Sequence, residues 1–550
     1  MSRIVFESER PIAQVDPVRA DVACFVGLVR FLPTASISPA VMQWLQAQGW
    51  IRTAPQNGVS TVDSPYARVT VQSDWTPGAA GQPTSAIADV PIPIENYTAF
   101  TALFDPGGTA ASFGTDYLAA AVRTFFAQGG KRCYIVRMND PVTPSDTPNL
   151  RGNKLQSLLP STDYDIDNQR GWHGAGHLSG LPEVSFLAMP DLPVLCASQP
   201  SGAKGVEPKL PGGPAQFEEC SPPAPTITSP LQYFAAAPRF TPDDYVAWAG
   251  TVQQVLRYLS QGSLREMLLV ASLPMPQETD VAASQENPSE SLVQDLHDVI
   301  NKVMPEPGDG WTGLEIGIST AFLQLGYPWI KTSGSDVLLE DLEPPDGALV
   351  GILARNALTR GTFTSAVKVQ PAEIYDVSTV LPAEEVTVPD VPLVWGDNSV
   401  KPLIERISLF GPTPSGLALL SDVTTYAGES YRPGRIHRLV AVILRAARTL
   451  GDRIVFESNG PQLWARVRSA LHQLMLRLWQ LNALDGETVQ DAFSVRCDSS
   501  TMTQNDLDNG RLVAIISFNA ASTIELIHVT MALETSGTTS QAGLVLAEAV

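Results

Sequence analysis

The sequence has little cysteine, little charge and no long apolar run. Its five cysteines (Cys24, Cys133, Cys196, Cys220 and Cys497) are scattered, and none forms a CxxC pair. Neither a disulfide framework nor a zinc site is indicated, and a reducing cytoplasm is the simplest setting. Charged residues make up only 17% of the 550 residues, and they sum to a net charge of −21. That balance disfavours wide-area contact with nucleic-acid phosphates and favours solubility through self-repulsion. No run reaches the length of a membrane span. The first residues, MSRIVFESERP, carry charges where a signal peptide has its apolar core, so no signal peptide is expected. There is no GxxxxGK[ST] phosphate loop, no GxGxxG after a strand and no GxSxG elbow. The acidic pairs Asp341/Glu343 and Glu384/Glu385 lie among prolines and read as solvated loops, not acid/base catalysts. No catalytic residue, metal or cofactor is therefore expected, and an enzyme reading has no residue set behind it.

Two motifs look chemical at first. His173 and His177 stand four apart within WHGAGH, a spacing that can hold a metal on a helix. Gly174 and Gly176 argue against the helix, and no carboxylate occupies the HExxH position, so the segment reads as a flexible surface loop. Residues 505–510 (NDLDNG) suggest a calcium loop. Counted from Asp506, however, Gly510 is fifth and Ser517 twelfth, where an EF-hand needs Gly at six and Glu at twelve. A hairpin-type turn whose Asx side chains bond the backbone is expected instead.

What is present is a succession of helices and buried strands. Val22–Val29 (VACFVGLV) is apolar almost throughout, as in a strand covered on both faces. Tyr117–Gln128 is a helix with Leu118, Val122, Phe125 and Phe126 on one side, stopped by Gly129-Gly130 and followed by the strand Cys133–Val136. Helix, glycine stop and apolar strand are the grammar of an α/β layer. Further buried strands are expected at Val184–Met189 and Glu266–Ala271, and helices near Ala40–Gln48, Tyr97–Phe104, Pro242–Gln261, Ala282–Val303 and Ala348–Thr359. Residues 139–180 and 197–240, rich in Pro, Gly, Ser and Asp, read as surface insertions. The expected division is an arm and first strand (1–30), an α/β part (31–138), loop-rich insertions (139–240), a middle α/β domain (241–400), a C-terminal core (401–534) and a tail (535–550).

The C-terminal third is the most regular. A helix from Pro433 to Leu450 is stopped by Gly451, and a short strand follows at Arg453–Glu457. Asn459 caps a second helix beginning at Pro461 and ending before Gly486. In it Leu463, Val467, Leu471, Leu474, Leu478 and Leu481 recur at spacings of three and four. Apolar runs follow at Leu512–Phe518 and Ile524–Leu533. In the second, Ile527, Val529, Met531 and Leu533 alternate with polar or small residues, the period of a half-buried strand. So near a chain end, such a strand pairs with something or stays a sticky edge. Against the acidity of the chain, Arg432, Arg435, Arg438, Arg445 and Arg448 gather around the first helix and Arg466, Arg468 and Arg477 lie on the second. Two readings stand: salt bridges to acidic loops, or a basic surface facing an acidic partner.

These stretches resemble the tail sheath proteins of contractile phage tails and phage-tail-like injection systems. The densest match is RIVFESNGPQLWARVRSALHQLMLRLWQLNALDG followed by DAFSVRCDSSTMTQNDLDNGRL. It carries Phe456, Glu457, Trp464, Gly486, Arg496, Cys497, Asp498, Asn509, Gly510, Arg511 and Leu512 in the family's order. Arg10–Val29, Tyr117–Met138, Gly326–Lys331 and Pro344–Ala366 look like further family segments, together about half the chain. The Pro-Gly-Val-Tyr start and a Trp-Gly-Ala-Arg-Thr run before Arg435 are missing, and the sixteen residues after Glu534 have no counterpart. These departures leave open a main sheath subunit or a specialised cap or baseplate-proximal adaptor.

The resemblance implies an α/β (mixed α+β) fold: a central mixed sheet flanked by helices, extended terminal strand arms and an inserted loop-rich outer domain. It implies hexameric rings of this chain stacked around an inner tube protein, with baseplate and cap proteins as further partners. Nucleic acid and membrane are not expected partners. Assembly would be cytoplasmic, in a particle that is released or membrane-anchored. Ile4, Val5 and Phe6 in one arm, and Ile527, Val529, Met531 and Leu533 in the other, would pair between copies. Arg435, Arg438, Arg445, Arg448, Arg466 and Arg477 would face the tube.

Overall fold

A computed structural model describes residues 19–32, 38–50, 52–53, 70–71, 88–105, 114–143, 146–161, 169–198, 236–276, 319–381, 403–454, 457–521, 526–533 and 543–546. The expected helix at Ala282–Val303 and the arm residues Ile4, Val5 and Phe6 lie outside them.

The molecule is built on an eight-stranded sheet. Its strands are β1 (Val22–Leu28), β2 (Pro91–Ile94), β3 (Cys133–Asn139), β4 (Val184–Ala188), β5 (Leu268–Ser272), β6 (Leu323–Tyr327), β7 (Ser408–Thr413) and β8 (Gly416–Leu419), in the order β8-β7-β6-β5-β4-β1-β3-β2. The six inner strands run parallel. The two outermost are antiparallel additions. An edge position suits β2, whose Pro91 and Pro93 have no N–H to give to a second neighbour. The sheet takes strands from residues 22 through 419, so β7 and β8 belong to it and not to the C-terminal unit expected from residue 401.

Strand β1 shows why the apolar runs are nearly continuous. Val22, Cys24, Val26 and Leu28 enter the core on one face of the sheet, and Ala23 and Phe25 the core on the other. The first core is covered by α2 (Pro242–Leu259) through Trp248, Val252 and Val255. The second is covered by α1 (Tyr117–Ala127) and α3 (Asp346–Thr359). Both faces of a parallel sheet need such cover, because each strand must bury every second side chain on each side. Helix α2 starts at a capping box, in which Asp244 N–H donates to Thr241 Oγ1 at 3.4 Å and Thr241 N–H to Asp244 Oδ2 at 2.9 Å.

Helices α1 and α3 meet backbone to backbone. A Cβ on Gly347 would stand 2.1 Å from the Ala121 carbonyl oxygen, and one on Gly351 2.7 Å from that of Phe125. No side chain yields there, so the helix spacing depends on glycine.

Residues 139–180 are not surface insertions throughout. Pro148–Leu158 is helical and Gly174–Gly180 is a 3-10 helix. His177, expected on a flexible loop, is fully buried against Trp50, with Nε2 2.7 Å from Asp89 Oδ1. The glycines that exclude an α-helix permit the tighter turn, since Gly174 takes φ +50° and a Cβ there would strike the Leu158 carbonyl.

Gly347→Ala is expected to destabilise the protein by about 1–3 kcal/mol through forced separation of α1 and α3. Gly250→Ala on α2, where nothing lies within 4 Å of the new Cβ, should instead stabilise by about 0.5–1 kcal/mol. Urea midpoints of the two variants measure the contrast.

Candidate assembly surface

The C-terminal unit contains α4 (Gly434–Ile454), α5 (Pro461–Gln480) and a four-stranded antiparallel sheet, β9 (Phe493–Arg496), β10 (Leu512–Asn519), β11 (Leu526–Leu533) and β12 (Gly543–Leu546), ordered β9-β10-β11-β12. The helices and β10 share one core, with Ile443, Leu471, Met475, Ile516 and Phe518 at its centre. Helix α4 continues through Gly451 to Ile454, where the sequence suggests a stop and a strand. Gly451 is itself buried, and packing outweighs its weak helix propensity.

Helix α4 has a second, polar face turned to the large sheet. Arg438 is buried and grips Asp422, with Nη1 2.9 Å from Oδ1 and Nη2 2.6 Å from Oδ2. Asp422 also accepts from Gln324 and from Ala366 N–H. Burial alone would raise the Asp422 pKa, but the charge and hydrogen bonds of Arg438 hold it below the ordinary carboxylate value. Arg445 donates to the Val184 carbonyl (2.7 Å), Ser185 Oγ (2.9 Å) and the Arg19 carbonyl (2.8 Å). Its Nε lies 3.3 Å from Glu266 Oε2. Arg448 closes on the same Glu266 with two bonds of 2.8 Å. Burial keeps the Arg445 pKa below its usual value; in Arg448 burial is outweighed by Glu266 and the pKa rises.

This corrects the outward reading of the first arginine group. Arg438 and Arg445 are buried, Arg448 is committed to Glu266, and Arg435 is half-buried. Of the acids that claim them, Asp422 lies 16 residues before Arg438, whereas Glu266 is 179 residues from Arg445 and could not be picked out from helix α4 itself.

Helix α5 keeps a basic face in solvent. Arg466, Arg468, His472 and Arg477 are exposed, and the helix contains no Asp or Glu. Arg466 pairs with Glu457 before the helix, at 2.9 Å for Nη2. The helix begins at Pro461 behind Gly460, not at an Asn459 cap. Asn459 instead accepts from the Trp464 indole (2.6 Å) and donates to the Arg511 carbonyl (3.1 Å). It thereby ties the helix start to the turn before β10.

The motif residues Asp498 to Arg511 build that turn. Asp498 Oδ1 accepts Ser500 N–H at 2.8 Å. Residues Gln504–Asp508 form a short helix behind a Thr503/Asp506 capping box, in place of the expected hairpin turn. Asn509 bonds back to the Asn505 carbonyl, Gly510 takes φ +70°, and Arg511 lies 3.8 Å from Asp506. Cys497 is buried under the turn, and Arg496 ends β9. These residues are scaffolding.

Strand β11 pairs along its whole length with β10, setting Ile527, Val529, Met531 and Leu533 opposite Phe518, Ile516, Ala514 and Leu512. Those four β10 residues are all buried. The other edge of β11 is not open in a single chain. It pairs with β12, from Val529↔Leu546 to Ala532↔Gly543. The tail after Glu534, which the sequence left without a role, therefore supplies a strand.

In doubly wound sheets the place for a ligand is the crevice beyond the carboxyl ends of the strands, where the order reverses. Here that is the gap between β1 and β4 below the start of α1. Asp191 fills it, accepting Leu28 N–H at 2.7 Å. A Cβ on Gly27 would come within 2.3 Å of the same carboxyl. Among the described residues no group of three or more His, Cys, Asp or Glu could hold a metal ion, and no helix is long and apolar enough to cross a membrane.

No protein-family model and no curated protein matches the chain. Solved structures do. A chain in the cryo-EM structure of the anti-feeding prophage baseplate, six-fold symmetrised, matches with TM-score 0.52 at 17% identity, over 95% of this chain and 96% of that one. A chain of the anti-feeding prophage helical sheath in its contracted state matches with TM-score 0.50 at 17% identity, over 95% and 96%. A chain of the contracted baseplate matches with TM-score 0.51 at 14% identity, over 96% and 95%. The chain thus shares the fold of these sheath and baseplate chains over about 95% of its length.

Glu266→Gln leaves two arginines, one of them buried, without a counter-charge, and is expected to cost about 3–5 kcal/mol. Arg466→Ala removes an exposed pair and should cost less than about 1 kcal/mol. Denaturation of both variants at one ionic strength checks the contrast.

Proposed function

We propose that the chain is a structural subunit of a contractile sheath in a phage-tail-like injection system. The observation that carries the reading is the terminal strand ladder. Its last described strand, β12, is joined to β11 only through residues 534–542. A strand on such a tether can be given to a neighbour at low cost, since it makes the same backbone bonds in either sheet. The strand that carries Ile527, Val529, Met531 and Leu533 then forms one side of the joint, and the N-terminal arm with Ile4, Val5 and Phe6 supplies a further strand to a neighbouring copy. The likeness in fold to sheath and baseplate chains supports this reading.

In the proposed assembly, copies stack as six-membered rings around an inner tube. The extended state stores conformational energy, and contraction drives the tube through a target envelope with no nucleotide consumed. Baseplate and cap proteins bound the stack, and assembly takes place in the cytoplasm. The exposed basic face of α5, with Arg466 and Arg477, is the part of the original arginine set that lies at the surface, and it is the face that meets the tube in this proposal. A second reading is a sheath-like adaptor next to the baseplate, favoured by the matches to baseplate structures.

Purified full-length protein, viewed by electron microscopy, separates the two. A sheath subunit forms long hollow tubes; an adaptor forms rings or stays monomeric. Failure to form any ordered assembly, alone or with a tube protein, would return weight to an unrecognised enzyme. Removal of residues 535–550, or of residues 1–15, should abolish tubes while leaving the circular dichroism of the core unchanged. Tubes formed by the truncated chains would sink the strand-exchange mechanism. Arg466→Glu with Arg477→Glu should leave self-assembly intact and reduce co-purification of the tube protein.

A further inference from the structure

The carboxyl edge of the large sheet is fastened in a different way from the amino edge. At the amino edge, arginines of α4 answer Glu266. At the carboxyl edge, three acids lie fully inside the protein with no arginine or lysine in ion-pair contact among the described residues. Asp191 follows β4, and Asp346 is the first residue of α3. Glu343, which the sequence placed in a solvated loop, precedes α3 and is buried under Thr124 of α1.

Each joins elements that must stay together. Asp191 binds Leu28 N–H at the end of β1 and faces Asp116 and Leu118 N–H at the start of α1, with Asp346 near it. Asp346 sits beside Ser272 at the end of β5. Glu343 accepts from Thr124 of α1 at 2.5 Å, and its backbone bridges to Ile330. The hydroxyl of Tyr117, also in this group, is buried and has no hydrogen-bond partner. The nearby cations point elsewhere. Arg30 lies 3.9 Å from Asp116, Arg239 pairs with Glu340 at 2.9 Å, and Arg123 pairs with Glu373 at 3.4 Å and reaches Glu343 only as a weaker, longer-range charge. A carboxylate buried there has no directly paired counter-ion among the described residues, and the acid form is favoured.

We propose that the seam joining α1 and α3 to the carboxyl edge of the sheet is a pH-responsive latch, closed by Asp191, Glu343 and Asp346 as neutral acids and loosened when they ionise. Burial pushes all three up to about 8. The folded values lie above those of the unfolded chain. Their contribution to stability is therefore complete below the ordinary carboxylate range and is lost progressively as pH rises toward 8. Each acid lowers the folding equilibrium constant by up to about tenfold per pH unit within that window. The loss concentrates at the α1–α3 contact, because Gly347 and Gly351 leave no side chain to absorb a shift.

Hydrogen exchange on the full chain tests the proposal, with rates corrected for base catalysis. Between about pH 6.5 and about pH 9 the amides of α1 and α3 should lose at least about tenfold more protection than those of α5. In Asp191→Asn/Glu343→Gln/Asp346→Asn, which mimics the neutral acids, that difference should vanish. An equal loss in all three helices, or an undiminished difference in the variant, overturns the latch. Infrared spectroscopy of the unmodified chain gives an independent reading should the variant misfold. A protonated-carboxyl band present at neutral pH and titrating near 8 supports the latch, and its absence at neutral pH overturns it.

Discussion

A guanidinium buried in protein must find a carboxylate and enough carbonyls to replace its water, and Arg445 of α4 finds them across the whole amino edge of the sheet. It reaches the backbone of residue 19 where the chain enters β1, the first residues of β4, and Glu266 before β5. Arg438 repeats the arrangement on Asp422. Helix α4 is thus apolar toward α5 and ionic toward the sheet. A buried pair of this kind adds little net stability, since desolvation offsets the attraction. What it adds is uniqueness of docking, because any other seating of α4 leaves both signs of charge bare. The C-terminal unit is therefore fastened to the sheet, and the backbone at Arg19 is fastened to both.

The sequence was legible wherever one local rule decided the outcome. The unbroken apolar run of β1 foretold a strand covered on both faces, and the leucine spacing of α5 foretold a helix with one face in a core. The double glycine after α1 marked its end. Reading failed where distant residues decided. For Arg445 and Arg448 the sequence left salt bridges and a basic surface both open, because their partner Glu266 lies some 180 residues away; the salt bridges are what forms. Gly451 looked like a stop because nothing local says that it is packed. His177 looked mobile because its glycines hide a 3-10 turn whose stability comes from Asp89 and two tryptophans. Residues 505–510 were legible as a turn with Asx side chains bonding the backbone, but the short helix behind the Thr503/Asp506 capping box needed coordinates.

The same fold that offers a ligand crevice in other doubly wound proteins closes it here with Asp191. A carboxyl of the chain takes the backbone N–H that a bound anion would take. The crevice has become a structural joint between β1, β4 and the start of α1.

The pairing of β12 on its own β11 also bears on what that edge can accept. A strand tethered through residues 534–542 is held near its own edge at an effective concentration in the mM range. In a single chain the tail therefore covers the edge of β11 as a built-in competitor, and any other strand pairs there only by displacing β12.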